Sequence, residues 1–151
     1  MKIIYASIVF VLLAAAGCEV KTTVSTPSDN SSSYHNEERT KEVLDHHWKT
    51  FQANDLEGTM ADYTEESVLI TPDKTFKGLK EIRENFVYAF SLFPKDSATL
   101  QLDKSIVHND VGYIIWQATT PKFKLTFGTD TFIIHNGKIV RQTYAGVVTP
   151  L

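Results

Sequence analysis

Apolar positions fall into three regimes along the chain. From Ile3 to Ala16 they run almost without a break. From Asn36 to Phe93 they recur at helical spacing. Leu44, His47, Trp48 and Phe51 stand at i, i+3, i+4 and i+7, and the spacing predicts a helix over 36–53. Asn54-Asp55 interrupts it, and Asp55 is placed to cap a short second helix whose face is Leu56, Met60 and Tyr63. Ser67 to Thr71 reads as a short strand stopped by Pro72-Asp73. Gly78 opens a third helix with a wide stripe of Leu79, Ile82, Phe86, Ala89, Phe90 and Phe93, and Pro94 ends it. After Ser97 the period changes to two. Four strands are expected, over 98–107, 111–120, 123–134 and 138–148, joined by His108-Asn109-Asp110, Pro121-Lys122 and His135-Asn136-Gly137. Helices followed by an antiparallel meander predict an α+β domain, with the helices on one face of the sheet.

The first regime is an address and not a fold element. Lys2 precedes the apolar run, and small residues close it at Ala15-Ala16-Gly17-Cys18. This is the layout of a secretory signal, and the run is short of the roughly 20 residues a spanning helix needs. The four closing residues resemble the bacterial lipoprotein box, which implies removal of residues 1–17 and lipidation of Cys18. An ordinary signal peptide cut at Ala14-x-Ala16 is the alternative. Residues 18–35 are then a tether, since eight of the twelve residues from Thr22 to Ser33 are Ser or Thr. Residues 36–151 are the folded domain. The expected location is outside the cell's inner barrier, lipid-anchored to a bacterial membrane, with Glu19 favouring the outer one. The unlipidated alternative is a soluble secreted or periplasmic protein.

Composition removes several functional classes. With 42% hydrophobic and 22% charged residues the chain is globular. A single cysteine rules out an intramolecular disulfide framework and a multi-cysteine metal site. The net charge of -3, with basic residues dispersed, leaves no footprint for nucleic acid. The five histidines, at 35, 46, 47, 108 and 135, form no His-Glu-x-x-His, and His46 and His47 diverge by about 100° on a helix. They read as scattered surface residues, with no metal expected. No glycine-rich phosphate loop and no Gly-x-Ser-x-Gly occurs, and no cofactor is expected.

Four phrases carry a resemblance: Asn54-Asp55-Leu56-Glu57-Gly58, then Met60 to Val68, then Phe76-Lys77-Gly78-Leu79-Lys80-Glu81-Ile82-Arg83, and Asp130 to Ile139. In this order they resemble the nuclear-transport-factor-2-like superfamily, which includes SnoaL-like polyketide cyclases and ketosteroid isomerases. The resemblance implies a cone, with three N-terminal helices packed in the concave face of a curved antiparallel sheet and a pocket at the open end. It is more specific for fold than for function.

The isomerase branch implies a tyrosine and a protonated aspartate as oxyanion donors and a second aspartate as base; ketosteroid isomerase is itself the standard worked case of such pKa tuning. Here His47 stands where the tyrosine donor would be, Asp130 where the oxyanion aspartate would be, and Thr71 where the base would be. Threonine cannot accept a proton at neutral pH, so steroid isomerisation is disfavoured. His47 and Asp130 remain a candidate acid/base pair, or alternatively a hydrogen-bonded core pair. The family register places Tyr113, Ile115 and Gln117 inside the cone, with Gln142 and Tyr144 from the last strand, Phe132 beside Asp130, Phe86 and Phe90 from the third helix, and Phe51, Tyr63 and Thr71. Ile114 and Trp116 then fall outside, as an apolar patch expected to form a homodimer interface. The leading expectation is a binding protein for a small hydrophobic or amphipathic molecule. The alternatives are a lyase, isomerase or cyclase acting on a hydrophobic carbonyl compound through His47 and Asp130, and a protein-interaction domain whose cone is filled by its own side chains.

Overall fold

A computed structural model describes residues 30–151. The expected leader, its expected cleavage site and Cys18 lie outside the described residues. Helix α1 spans Asn30–Gln52, α2 Leu56–Met60 and α3 Gly78–Leu92. The strands are β1 Val68–Ile70, β2 Thr75–Lys77, β3 Thr99–His108, β4 Val111–Thr119, β5 Phe123–His135 and β6 Lys138–Pro150. Most elements shift by only one or two residues at their ends, with two larger differences. Helix α1 begins six residues before Asn36, so the stretch taken as the end of the tether is helical. The turn after Pro72 returns as β2, a three-residue strand that pairs with β1.

All six strands form one sheet in the order β2-β1-β6-β5-β4-β3. Its pairings are antiparallel except for β1 with β6, where Val68, Leu69 and Ile70 run parallel to Arg141, Gln142 and Thr143. The sheet is therefore mixed, which corrects the purely antiparallel expectation. Register shifts between Leu102 and Lys104, Trp116 and Ala118, Leu125 and Phe127, and Ile133 and Ile134 insert bulges into the long strands. Each bulge bends its strand and adds twist, so the sheet curls around the helices.

Local chemistry explains the punctuation. Asp55 caps α2, its Oδ1 accepting from the Gly58 N–H at 2.9 Å. Asn136 and Gly137 both adopt positive φ (52° and 74°), as a type I′ hairpin requires. Gly78 has φ of 71° and donates its N–H to the Ser67 carbonyl at 3.0 Å, turning the chain from β2 into α3. A Cβ there would lie 3.2 Å from the Glu65 carbonyl oxygen.

One core joins the layers. Leu44 and Phe51 from α1, Ile82 and Phe86 from α3, and Ile114, Trp116, Leu125, Phe132, Ile134 and Ile139 from the sheet are buried together. At the wide end these walls do not close, and the site lies there.

The φ of Gly78 makes it a test of the β2–α3 turn. Gly78→Ala forces a left-handed conformation on an L-residue and is expected to cost about 1–2 kcal/mol. Urea unfolding should show a lower midpoint at unchanged slope.

Candidate functional site

Three inner rows of the sheet build the floor. Ile114, Asp130 and Tyr144 are directly opposite one another across β4, β5 and β6. Gly112, Phe132 and Gln142 form the next row on one side, and Trp116, Gly128 and Gly146 the next on the other. The two glycines in the last row make space. A Cβ on Gly128 would lie 2.9 Å from Trp116 Cε2, and one on Gly146 would lie 2.5 Å from the Tyr144 hydroxyl. Their absence lets the indole and the phenol lie flat against the sheet.

Flattened in this way, the Trp116 indole donates Nε1–H to Asp130 Oδ2 at 2.8 Å. Gln142 donates Nε2–H to Asp130 Oδ1, also at 2.8 Å. The Gln142 amide oxygen accepts from the Tyr63 hydroxyl. The Tyr63 oxygen is 3.4 Å from His47 Nε2, and His47 Nδ1 is 3.1 Å from Asp62 Oδ2. His46 Nδ1 reaches the other oxygen of Asp62 at 2.8 Å. A chain of polar contacts therefore runs from Asp62 through His47, Tyr63 and Gln142 to Asp130 and Trp116. His47 and Asp130 belong to the same chain, but Tyr63 and Gln142 stand between them.

Burial sets the electrostatics. Asp130 is 5% exposed, and desolvation pushes its carboxyl up to about 6, although the Gln142 and Trp116 N–H groups and the nearby His47 favour the charged form. Tyr63 is raised well above the ordinary phenol range, first by burial and then by the charges of Asp130 and Asp62. Tyr144 is pushed up to about 12 by burial and by Asp130, so its hydroxyl stays protonated at neutral pH. Both donors to Asp130 are neutral N–H groups. The carboxyl is thus organised to accept hydrogen bonds, the reverse of the protonated donor the isomerase mechanism needs.

Above this floor is a cavity of about 510 Å³. Trp48, Phe51, Phe93, Trp116, Phe123 and Phe132 wall it, with His47, Asp130, Gln142 and Tyr144 contributing polar edges. Asp73, Lys74, Asn85 and Tyr88 also line it. The volume falls within the range of small-molecule sites, so the cone is not filled by its own side chains.

The expected site residues sort into four groups. Phe51, Phe132, Gln142, Tyr144, His47 and Asp130 line the cavity. Thr71 also lines it, but its hydroxyl is engaged in a turn, donating to the Lys74 carbonyl at 3.1 Å and accepting from the Lys74 N–H at 3.2 Å. Tyr63, Phe86 and Phe90 stand behind the walls: Tyr63 and Phe86 lie edge-on or tilted against His47 and each other, and Phe90 packs on Phe51. Tyr113, Ile115 and Gln117 are on the outer face, and Gln117 bonds Asp103 at 2.8 Å there.

That last placement corrects the β4 register. Ile114 and Trp116, expected as a dimer patch, are 3% exposed and face the cavity. Alternation makes such an error complete, because a shift of one residue exchanges every side chain between faces. The surface reading holds for His46, His108 and His135 but not for His47, which the core alternative already covered. His47 is buried, and His46 and His47 converge on Asp62 although they diverge on the helix. Asp62 itself was hidden inside a phrase read as structural, and nothing in its spacing marked it. The apolar side of β4, Ile114-Trp116-Ala118, was the signal that could have placed Trp116 beside Asp130.

The sequence matches the SnoaL-like domain over residues 44–142. The chain belongs to the SnoaL-like domain family. Similar folds occur in an NTF2-like protein of unknown function from Mesorhizobium loti, at 18% identity and a TM-score of 0.63, covering 81% of this chain and 97% of that one. A candidate ketosteroid isomerase from Kribbella flavida matches at 15% identity and a TM-score of 0.64, covering 74% and 80%. A candidate polyketide cyclase from Sinorhizobium meliloti matches at 16% identity and a TM-score of 0.60, covering 69% and 94%. At these identities the likeness is one of fold. No curated protein sequence matches the chain.

The SnoaL-like floor has a pH signature. Because the folded Asp130 carboxyl titrates near 6 and not near 3.8, its contribution is fully favourable below the lower value and is lost as pH rises through the higher one. The loss is on the order of 3 kcal/mol if no other group compensates. Asp130→Asn removes that dependence. Denaturant titrations from pH 4 to 7 should show the stability difference moving in favour of the variant as pH rises, and a constant difference would contradict the buried charge.

Proposed function

We propose that this SnoaL-like domain binds a small, mostly apolar molecule in its cone. The observation that supports the reading most is the preformed, aromatic-walled cavity of about 510 Å³ over a floor whose buried polar atoms all have hydrogen-bond partners among the described residues. Such a site offers apolar area for affinity and a few polar edges for orientation. Thr71, at the position of the isomerase base, supplies no proton acceptor, which favours binding over steroid isomerisation.

A second reading has its own observation. A buried carboxyl near 6 at the edge of an apolar cavity is suited to take a proton near neutral pH, so Asp130, with His47 in the same polar chain, would serve a lyase, isomerase or cyclase acting on a hydrophobic carbonyl compound. Asp130→Asn separates the two. A binder keeps its affinity for neutral ligands within a few fold, while proton transfer falls by at least about 10²-fold.

The domain is proposed to work outside the inner membrane barrier, tethered by a lipid on Cys18, and to form a homodimer. With Ile114 and Trp116 inside, the dimer surface moves to the outer face of the sheet, where Ile106, Phe127 and Val147 are exposed and Tyr113 and Ile115 are half-buried. Mass spectrometry that preserves noncovalent complexes should find a dimer carrying a discrete extra mass. A protein of bare mass at every concentration would count against the ligand, and a monomer against the dimer. Separately, Cys18→Ser should release the protein from the membrane fraction; retention of the variant there would sink the lipid anchor.

A further inference from the structure

We infer that the ligand of this cavity carries a positive charge: an amphipathic amine whose ammonium group sits against Asp130 while its apolar body lies among the aromatic rings. The inference rests on the cavity being a binding site and names the class of molecule it takes.

The argument starts from the difference between the two buried carboxylates. Asp62 is met by two imidazoles, at 2.8 and 3.1 Å, so whatever charge His46 and His47 carry is set directly against it. Among the described residues Asp130 has no ion pair of its own; His47 acts on it only electrostatically, with its Nδ1 held by Asp62. The two hydrogen bonds to Asp130 come from an indole and a primary amide, both neutral. They hold the carboxyl in its acceptor form without cancelling its charge, and a buried charge is costly unless it is paired. Each carboxylate oxygen takes one of these bonds and has a further lone pair to offer. Among the described residues, the only lysine or arginine lining the cavity is Lys74, whose Nζ lies 4.6 Å from the centre of the Phe76 ring, on the β1–β2 turn, with Asp73 adjacent in sequence. The floor therefore carries a carboxylate with no cation bonded to it among the described residues.

The surroundings of that charge suit a cation. Trp116, Phe132 and Tyr144 adjoin Asp130 in the inner rows, and Trp48, Phe51 and Phe93 continue the wall. Aromatic faces attract ammonium groups electrostatically, and such rings around a carboxylate form a site for an organic cation. A carboxylate ligand would meet Asp130 with like charge. A neutral ligand would leave it unpaired.

Titratable groups facing Asp130 from the packed elements are His47 on α1, Tyr63 after α2 and Tyr144 on β6. The two phenols are raised and stay neutral near pH 7. Amine binding should therefore weaken as Asp130 takes up its proton, below about pH 6.

The chain has two tryptophans, Trp48 and Trp116, and both line the cavity, so intrinsic fluorescence reports its occupancy. The test is a titration of the full chain with 1-aminodecane, 1-decanol and decanoate, each below its micelle concentration, following tryptophan emission at pH 7.5 and pH 5. The amine should half-saturate at least about tenfold below the alcohol at pH 7.5, with decanoate weakest, and the gap should close at pH 5. In Asp130→Asn the amine and the alcohol should agree within about threefold. If that variant fails to fold, the pH comparison in the unaltered chain still decides. Equal binding of amine and alcohol, or tighter binding of decanoate, overturns the cationic ligand and leaves the pocket standing as a binding site. A response to none of the three overturns the binding reading together with this one.

Discussion

A carboxylate held on the concave face of a sheet, under three helices, must be met by hydrogen-bond donors, and much of this structure follows from meeting it. Asp130 faces inward because the alternation of β5 puts Gly128, Asp130, Phe132 and Ile134 on one side. Its two oxygens are reached from opposite flanks, by Trp116 on β4 and Gln142 on β6. Each donor has requirements of its own. The indole lies flat only because position 128 lacks a side chain, and the amide keeps its orientation only because Tyr63 occupies its oxygen. Tyr63 in turn sits within reach of His47, and His47 is oriented by Asp62. Residues from α1, the α2–β1 segment, β4, β5 and β6 are thereby coupled through one charged group. Loss of any member leaves a neighbour unsatisfied, so the network specifies one arrangement of the floor beneath the open cavity.

The order of elements was legible because it rests on local signals. Helical stripes on α1 and α3, the Asp55 cap, the Asn136-Gly137 turn and the prolines after Ile70 and Phe93 each act over a few residues. The four long strands followed from period-two runs between them. What could not be read locally was pairing. β2 has three residues and no pattern of its own; it exists because β1 lies beside it. The parallel alignment of β1 with β6 joins residues some seventy positions apart, and no local preference records it.

The site was half legible for the same reason. His47, Asp130, Gln142, Tyr144, Phe51 and Phe132 were named from their positions on faces that proved to be inner ones. On β4 both faces carry apolar side chains, Ile114 and Trp116 on one and Tyr113 and Ile115 on the other, so alternation alone did not say which was buried. The bulge between Trp116 and Ala118 adds a local break in pairing. Asp62 escaped because its role depends on two adjacent histidines bending toward one acceptor. Side-chain reach decided that contact, and helical geometry argued against it.

The position of β6 has a consequence for how the cavity comes into being. This strand pairs with β5 on one edge and β1 on the other, and it contributes Gln142, Tyr144, Gly146 and Val148 to the floor and wall. A chain that has emerged only as far as Ile134 can form its helices and the β3–β5 meander, yet β1 and β2 have nothing to attach to and Asp130 lacks one of its donors. Contacts this distant along the chain form late and slowly. During synthesis Asp130 therefore lacks its Gln142 donor until β6 pairs with β5. Only when β6 zips into the gap does the sheet close, the charge become buried and the cavity exist to be occupied.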